Sequence, residues 1–225
     1  MKLLKFASLL CAGLAVAVLA ATPAMSKSKL PASWDGLELR PTKGLDAVYV
    51  RPGVEFKGYK NVTIAGLEVA FDKNWDPNDT VRGTSGRLST EDLQRIKDDM
   101  AAEFRKVFVE ELGKGGYSVV DQLGDETLRV LPGLADVYIN APARDYPGRS
   151  TTYTTDAGRM TLVMELRDGP TGQLLARVVD QKAGNNMGPW QVTDSVTNSA
   201  EFRRAVRAWA DRLVKALDKV NGKAQ

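Results

Sequence analysis

The chain has 225 residues, in which 31 Lys and Arg stand against 28 Asp and Glu, with one cysteine and no histidine. The missing histidine removes the usual general base, the usual zinc ligand and the Ser-His and Cys-His nucleophile pairs. The formal net charge of +3 falls to +1 without the first 26 residues, which hold Lys2 and Lys5, and a near-neutral domain offers no global attraction for nucleic acid or an anionic membrane.

Lys2 and Lys5 open the chain, Phe6 to Ala21 is almost wholly apolar, and Thr22 to Ser26 then supplies small residues and a proline. That order is the layout of a cleavable export signal, and the apolar run falls short of the roughly 20 residues a spanning helix needs. Residues 1–26 are therefore expected to be removed, with a cut after Ala24 as the second choice. The exported chain then starts at Lys27 in the periplasm with a net charge of +1, since Lys2 and Lys5 are lost. Cys11 lies inside the discarded stretch behind Leu9 and Leu10, so neither a lipid anchor nor a disulfide is expected. The remaining length suits one domain.

Residues 27–45 are polar, carry Pro31 and Pro41 and show no period, which predicts an extended arm. The domain proper is expected over 46–220, with a short tail at 221–225. Asp46 to Arg51 alternates and stops at Pro52-Gly53, and Val62 to Phe71 is a longer β-prone run. The two are expected to form a hairpin joined by the loop 52–61. Residues 72–88, rich in Asp, Asn, Gly, Ser and Thr, read as a surface loop.

Ser89 followed by Glu91 and Asp92 supplies a cap and early acids for a helix. Leu93, Ile96, Met100, Phe104, Val107 and Phe108 continue it at spacings of three and four, and Gly113, Gly115 and Gly116 end it. Because those glycines close a helix instead of opening one, they are not read as a phosphate loop. Tyr117 to Asp121 and Leu128 to Ala141 read as strands, the second with a kink or bulge at Leu131-Pro132-Gly133. A Thr-rich loop at 150–155 follows. Met160, Leu162, Met164 and Leu166 alternate with polar residues, Asp168 to Gly172 is a turn, and Leu174 to Asp180 is the hairpin mate. Phe202, Val206, Trp209, Leu213 and Leu217 form the stripe of a final helix whose arginine-rich face is expected to be solvated. The expected fold is α+β in the order ββαββββα, a mainly antiparallel sheet with both helices on one face.

Asp46-Ala-Val-Tyr-Val-Arg-Pro52, Asn140-Ala-Pro142 and Glu165-Leu-Arg-Asp-Gly-Pro-Thr-Gly-Gln-Leu-Leu-Ala-Arg177 with Asp180 stand in that order. In these pieces the chain resembles a proteobacterial envelope family, domain of unknown function 3313, over roughly residues 45–220. Many members look like lipoproteins, and this chain departs from them in lacking an anchor cysteine. The resemblance implies no activity, cofactor or catalytic residue.

Two constellations stand out in the loops. Asp72, Asn74, Asp76 and Asn78 place oxygens at alternate positions, as a calcium loop does, but Pro77 and Gly83 stand where that loop needs Gly and a bidentate Glu. Trp75, Tyr146, Tyr153 and Trp190 sit among polar neighbours, and Asn185 and Asn186 lie close to Trp190. Such aromatics suit contacts with protein or glycan. The function expected is a non-catalytic binding or accessory module that contacts an envelope protein or glycan through a sheet edge or these loops. A glycan hydrolase using a carboxylate pair and a calcium-stabilised module are the alternatives.

Overall fold

In a computed structural model, the residues described are 30–54, 56, 58–79, 87–139, 152–154, 158–183, 191–193 and 195–223. The expected signal, Tyr146, Asn185, Asn186 and Trp190 lie outside them.

The stretch expected as an arm is partly sheet. β1 (Ser33–Trp34) and β2 (Leu37–Arg40) form a hairpin whose turn residues Asp35 and Gly36 have φ of 52° and 75°. Two successive positive φ values define a tight hairpin turn for which Asp-Gly is a favoured pair, so the signal was present in the sequence although the flanking strands are too short to show a period. β3 (Ala47–Val50) pairs with β2 in register Leu39↔Tyr49.

The hairpin expected between 46–51 and 62–71 does not form. The second run splits into β4 (Asn61–Ile64) and β5 (Glu68–Phe71) at Ala65-Gly66-Leu67. After α1 (Thr90–Lys114) and β6 (Ser118–Val119), β7 (Thr127–Tyr138) runs through the sheet, and β4 and β5 both lie parallel to it, end to end. The kink or bulge expected at Leu131–Gly133 does not interrupt the pairing, because Leu131, Pro132 and Gly133 keep their register with Glu165, Met164 and Val163. Val130 turns its carbonyl to the β4 side, where the Ala65 amide donates to it, and Pro132 faces the same way two residues later. There β4 has ended and β5 has not begun, so the missing N–H breaks no ladder bond. The irregularity falls instead between Ala135 and Tyr138, around Asp136 with φ 51°.

The chain continues through β8 (Thr152–Thr154), β9 (Arg159–Asp168), β10 (Leu174–Ala183), β11 (Gln191–Thr193) and α2 (Ser195–Val220). The main sheet runs β1-β2-β3-β10-β9-β7-β4-β6 with β5 added beside β7, and β8 and β11 form a separate ribbon. The fold is thus α+β and mostly antiparallel, as expected, with more strands than ββαββββα allows and with parallel pairs at one flank.

Register places Val130, Leu134, Leu162, Met164, Leu166 and Val178 on one face, where they share a core with the stripes of both helices. Phe104 stacks on Phe108 at 4.3 Å within it. Ser89 and Asp92 cap α1 reciprocally, each side chain accepting the other's amide. The arginine-rich face of α2 is not simply solvated: Arg203 and Arg207 reach across to Glu103 and Glu111 of α1.

Candidate functional site

The paired strand ends gather at one end of the sheet. β5 and β7 finish there, with Phe71 opposite Val137, and β9 begins there, with Arg159 opposite both Tyr138 and Ala183, the last residue of β10. Three connections are therefore rooted at one pole: from β7 into β8, from β8 into β9 and from β10 into β11.

Trp75, expected as a loop aromatic, is half-buried at this pole. Its ring lies 4.5 Å from Phe71 and its Nε1 donates to Ile139 O at 2.9 Å. Lys97 of α1 stands 5.4 Å from the Phe71 ring. Arg159 lies 4.7 Å over Tyr138 and donates to Asp72 at 2.5 Å. The Asn74 amide, helped by Arg159, holds the Asp72 carboxyl below its usual range.

Three of the four oxygen residues of the loop, Asp72, Asp76 and Asn78, bond to nearby backbone. Asp72 accepts from the Asn74 amide and Asp76 from the Asn78 amide, each at 2.8 Å, which are Asx turns. Asn78 bonds to both the N–H and the C=O of Leu88, stapling the loop to the entry of α1. No cluster of three or more His, Cys, Asp or Glu suited to a metal occurs among the described residues.

Tyr153 was expected in a loop and lies in β8. It pairs with Val192 of β11, while Thr154 pairs with Gln191. The structure thus brings the Tyr153 segment beside the residue that follows Trp190, two candidates that are far apart in sequence.

The polar residues of the 165–180 hairpin, which carry the family resemblance, serve the fold. On the sheet face away from the helices, Glu165 accepts from Arg177 at 2.6 Å and from Arg167 at 2.7 Å. Arg177 also reaches Asp35 at 2.8 Å and lies 4.1 Å over the Trp34 ring, so it clamps the β1–β2 hairpin to β10. Burial would push the Glu165 carboxyl up, but the two guanidiniums outweigh it and hold it down. Asp168 accepts from Thr171 and from Tyr59, which lowers its carboxyl, whereas burial and Asp168 itself raise the Tyr59 phenol. Sequence reasoning missed Arg177 as an anchor; the signal was a charge flanked by Leu175, Ala176, Val178 and Val179 in an otherwise apolar strand.

Among known structures, a PelC dodecamer from Paraburkholderia phytofirmans shares 12% identity with the chain, covering 74% of this chain and 95% of that one with a TM-score of 0.37. A Xanthomonas campestris protein shares 14% over 73% and 86%, with a TM-score of 0.40. A minor lipoprotein from Acinetobacter baumannii shares 8% over 72% and 94%, with a TM-score of 0.30. No curated protein matches the chain. The sequence model of a family described as a protein of unknown function, DUF3313, matches residues 26–213, a span that takes in the β1–β2 hairpin as well as the 165–180 network. The chain belongs to the DUF3313 family.

Proposed function

We propose that this protein is an exported, non-catalytic binding or accessory module of the cell envelope, working through the pole where β5, β7, β9 and β10 end. The observation that carries this reading is the pairing of β8 with β11, which joins the segments of Tyr153 and Trp190 at one place. Loops and short ribbons on a rigid sheet are where binding residues concentrate.

Two further points support it. Glu165, Asp168 and Asp72 are held ionised by donors, whereas a glycan hydrolase needs one carboxyl raised so that it can act as an acid. The export signal read in residues 1–26 directs the chain to the envelope, and among the described residues no helix is long and apolar enough to cross a membrane.

The test places a photo-crosslinking residue at Tyr153 or Gln191 in living cells, with Lys60 at the opposite end of the sheet as the control. Crosslinks to another envelope component from the first two positions alone support the reading, and equal labelling from Lys60 defeats it. The intact mass of the exported form should correspond to a start at Lys27 without acylation. Turnover of envelope glycan by the purified protein would replace the binding role with the hydrolase.

A further inference from the structure

The sheet face away from the helices carries an uncompensated positive charge. Thr63 of β4, Arg129 of β7 and Arg167 of β9 stand side by side on that face, in register Thr63↔Arg129 and Arg129↔Arg167. Arg167 is matched by Glu165, and Arg177 by Glu165 and Asp35. Among the described residues the half-buried guanidinium of Arg129 has neither an ion pair nor a hydrogen bond, so three arginines face two carboxylates. Like charges directly opposite one another on a sheet are destabilising unless something offsets them.

The neighbour on the other side is unsatisfied as well. The Thr63 hydroxyl, on a side chain 9% exposed, is the one buried side-chain polar atom without a partner among the described residues. Such a group is costly to leave unpaired, and a bound ion is one of the explanations for it. The pole with its long connections lies at the far end of β7, about 30 Å away at roughly 3.3 Å per residue.

From Arg129 the same face of β7 continues through Leu131, Gly133 and Ala135, with Val163 of β9 opposite Gly133, and all four are half-buried. Gly133 makes this track a furrow. A Cβ there would meet only backbone of the flanking strands, Val163 O at 3.5 Å and Glu68 O at 3.9 Å. Glu68 of β5 is exposed beside Gly133, so the furrow runs from a positive end to a negative one.

We propose that this face binds a single anionic amphiphile, its phosphate head held by Arg129 with Arg167 and Thr63, its apolar chain lying over Leu131, Gly133 and Val163. Two guanidiniums and a hydroxyl suit a head with three acceptor oxygens, and the guanidinium fork matches two of them at once. Glu68 repels the head at the other end and so sets the direction. The inference goes beyond the envelope-binding role, which is read at the pole from crosslinks to other components, and either can fail without the other.

The test titrates octyl phosphate below its micelle concentration, inorganic phosphate and octyl glucoside separately into the purified protein by calorimetry. Octyl phosphate should bind more tightly than inorganic phosphate, and octyl glucoside should show no saturable binding. Arg129→Gln should weaken octyl phosphate about tenfold through loss of a charge-assisted hydrogen bond. It should leave the melting temperature of the free protein unchanged, because the guanidinium holds no other residue among those described. Gly133→Leu fills the furrow and should weaken octyl phosphate while sparing inorganic phosphate, whereas Thr63→Val should weaken both. Equal affinity for octyl phosphate and inorganic phosphate, or for octyl phosphate and octyl glucoside, would overturn the amphiphile. Octyl phosphate binding that survives Arg129→Gln, or no saturable binding at all, would overturn the site.

Discussion

Trp209 Nε1 donates to Asp180 Oδ2 at 2.7 Å, with both residues 1% exposed. The indole thus joins α2 to β10 by a hydrogen bond inside the core as well as by its area. Asp180 is held on its other side just before β3, where the Asp46 amide donates to Oδ1 and Asp46 in turn accepts from the Gln181 amide. A buried carboxylate costs little only when partners surround it, and Lys182 supplies the counter-charge at 2.6 Å.

Trp209→Ala is expected to destabilise the protein by about 3–5 kcal/mol, and Phe104→Ala by a similar amount, since both side chains fill the core. Asp180→Ala should cost about 1–3 kcal/mol by leaving the indole N–H without an acceptor. Denaturant midpoints check all three, and an unchanged midpoint for Trp209→Ala would show that α2 is not held through this residue.

The lowered carboxyl of Glu165 makes stability depend on acid. A group whose folded pKa lies below its unfolded value contributes stability above the unfolded value, about 4.5 here, and that contribution is lost as pH falls through the folded one. Melting temperature should therefore drop below about pH 4.5, and Glu165→Gln should flatten that drop while lowering stability at pH 7. Arg177→Lys should also destabilise at pH 7, because an ammonium cannot bridge Glu165 and Asp35 while lying flat on Trp34.

Among the described residues the hydroxyl of Thr63, 9% exposed in β4, finds no hydrogen-bond partner. Thr63→Val keeps the branched shape and removes the unpaired group, so it should stabilise the fold by about 1 kcal/mol. Loss of stability in this variant would mean that the hydroxyl is satisfied in solution.

Calcium is expected to leave the melting temperature unchanged, because Asp72, Asp76 and Asn78 already accept from nearby backbone amides and Asp72 from Arg159 as well. Asp72→Ala should cost roughly 1 kcal/mol through the loss of Arg159's carboxylate. A rise in melting temperature on calcium titration, abolished by Asp72→Ala, would restore the calcium-stabilised alternative.

Features set by neighbours in the chain were legible from sequence. The Ser89 cap, the stripes carrying Phe104 and Trp209, and the turn at 168–172 depend on interactions within a few residues, so spacing and residue type specify them. Tertiary structure decided which strands pair. β4 and β5 lie parallel to β7, β3 meets β10 instead of β4, and Arg177 finds Asp35 across 142 positions of sequence. The same holds for the candidate site, where only the pairing of β8 with β11 brings the Tyr153 and Trp190 segments together. Backbone ladder bonds are nearly indifferent to side-chain identity, so a strand's sequence shows that it will pair but not with which partner. That choice is made by which faces the helices bury and by where long-range anchors such as Asp180 and Arg177 close.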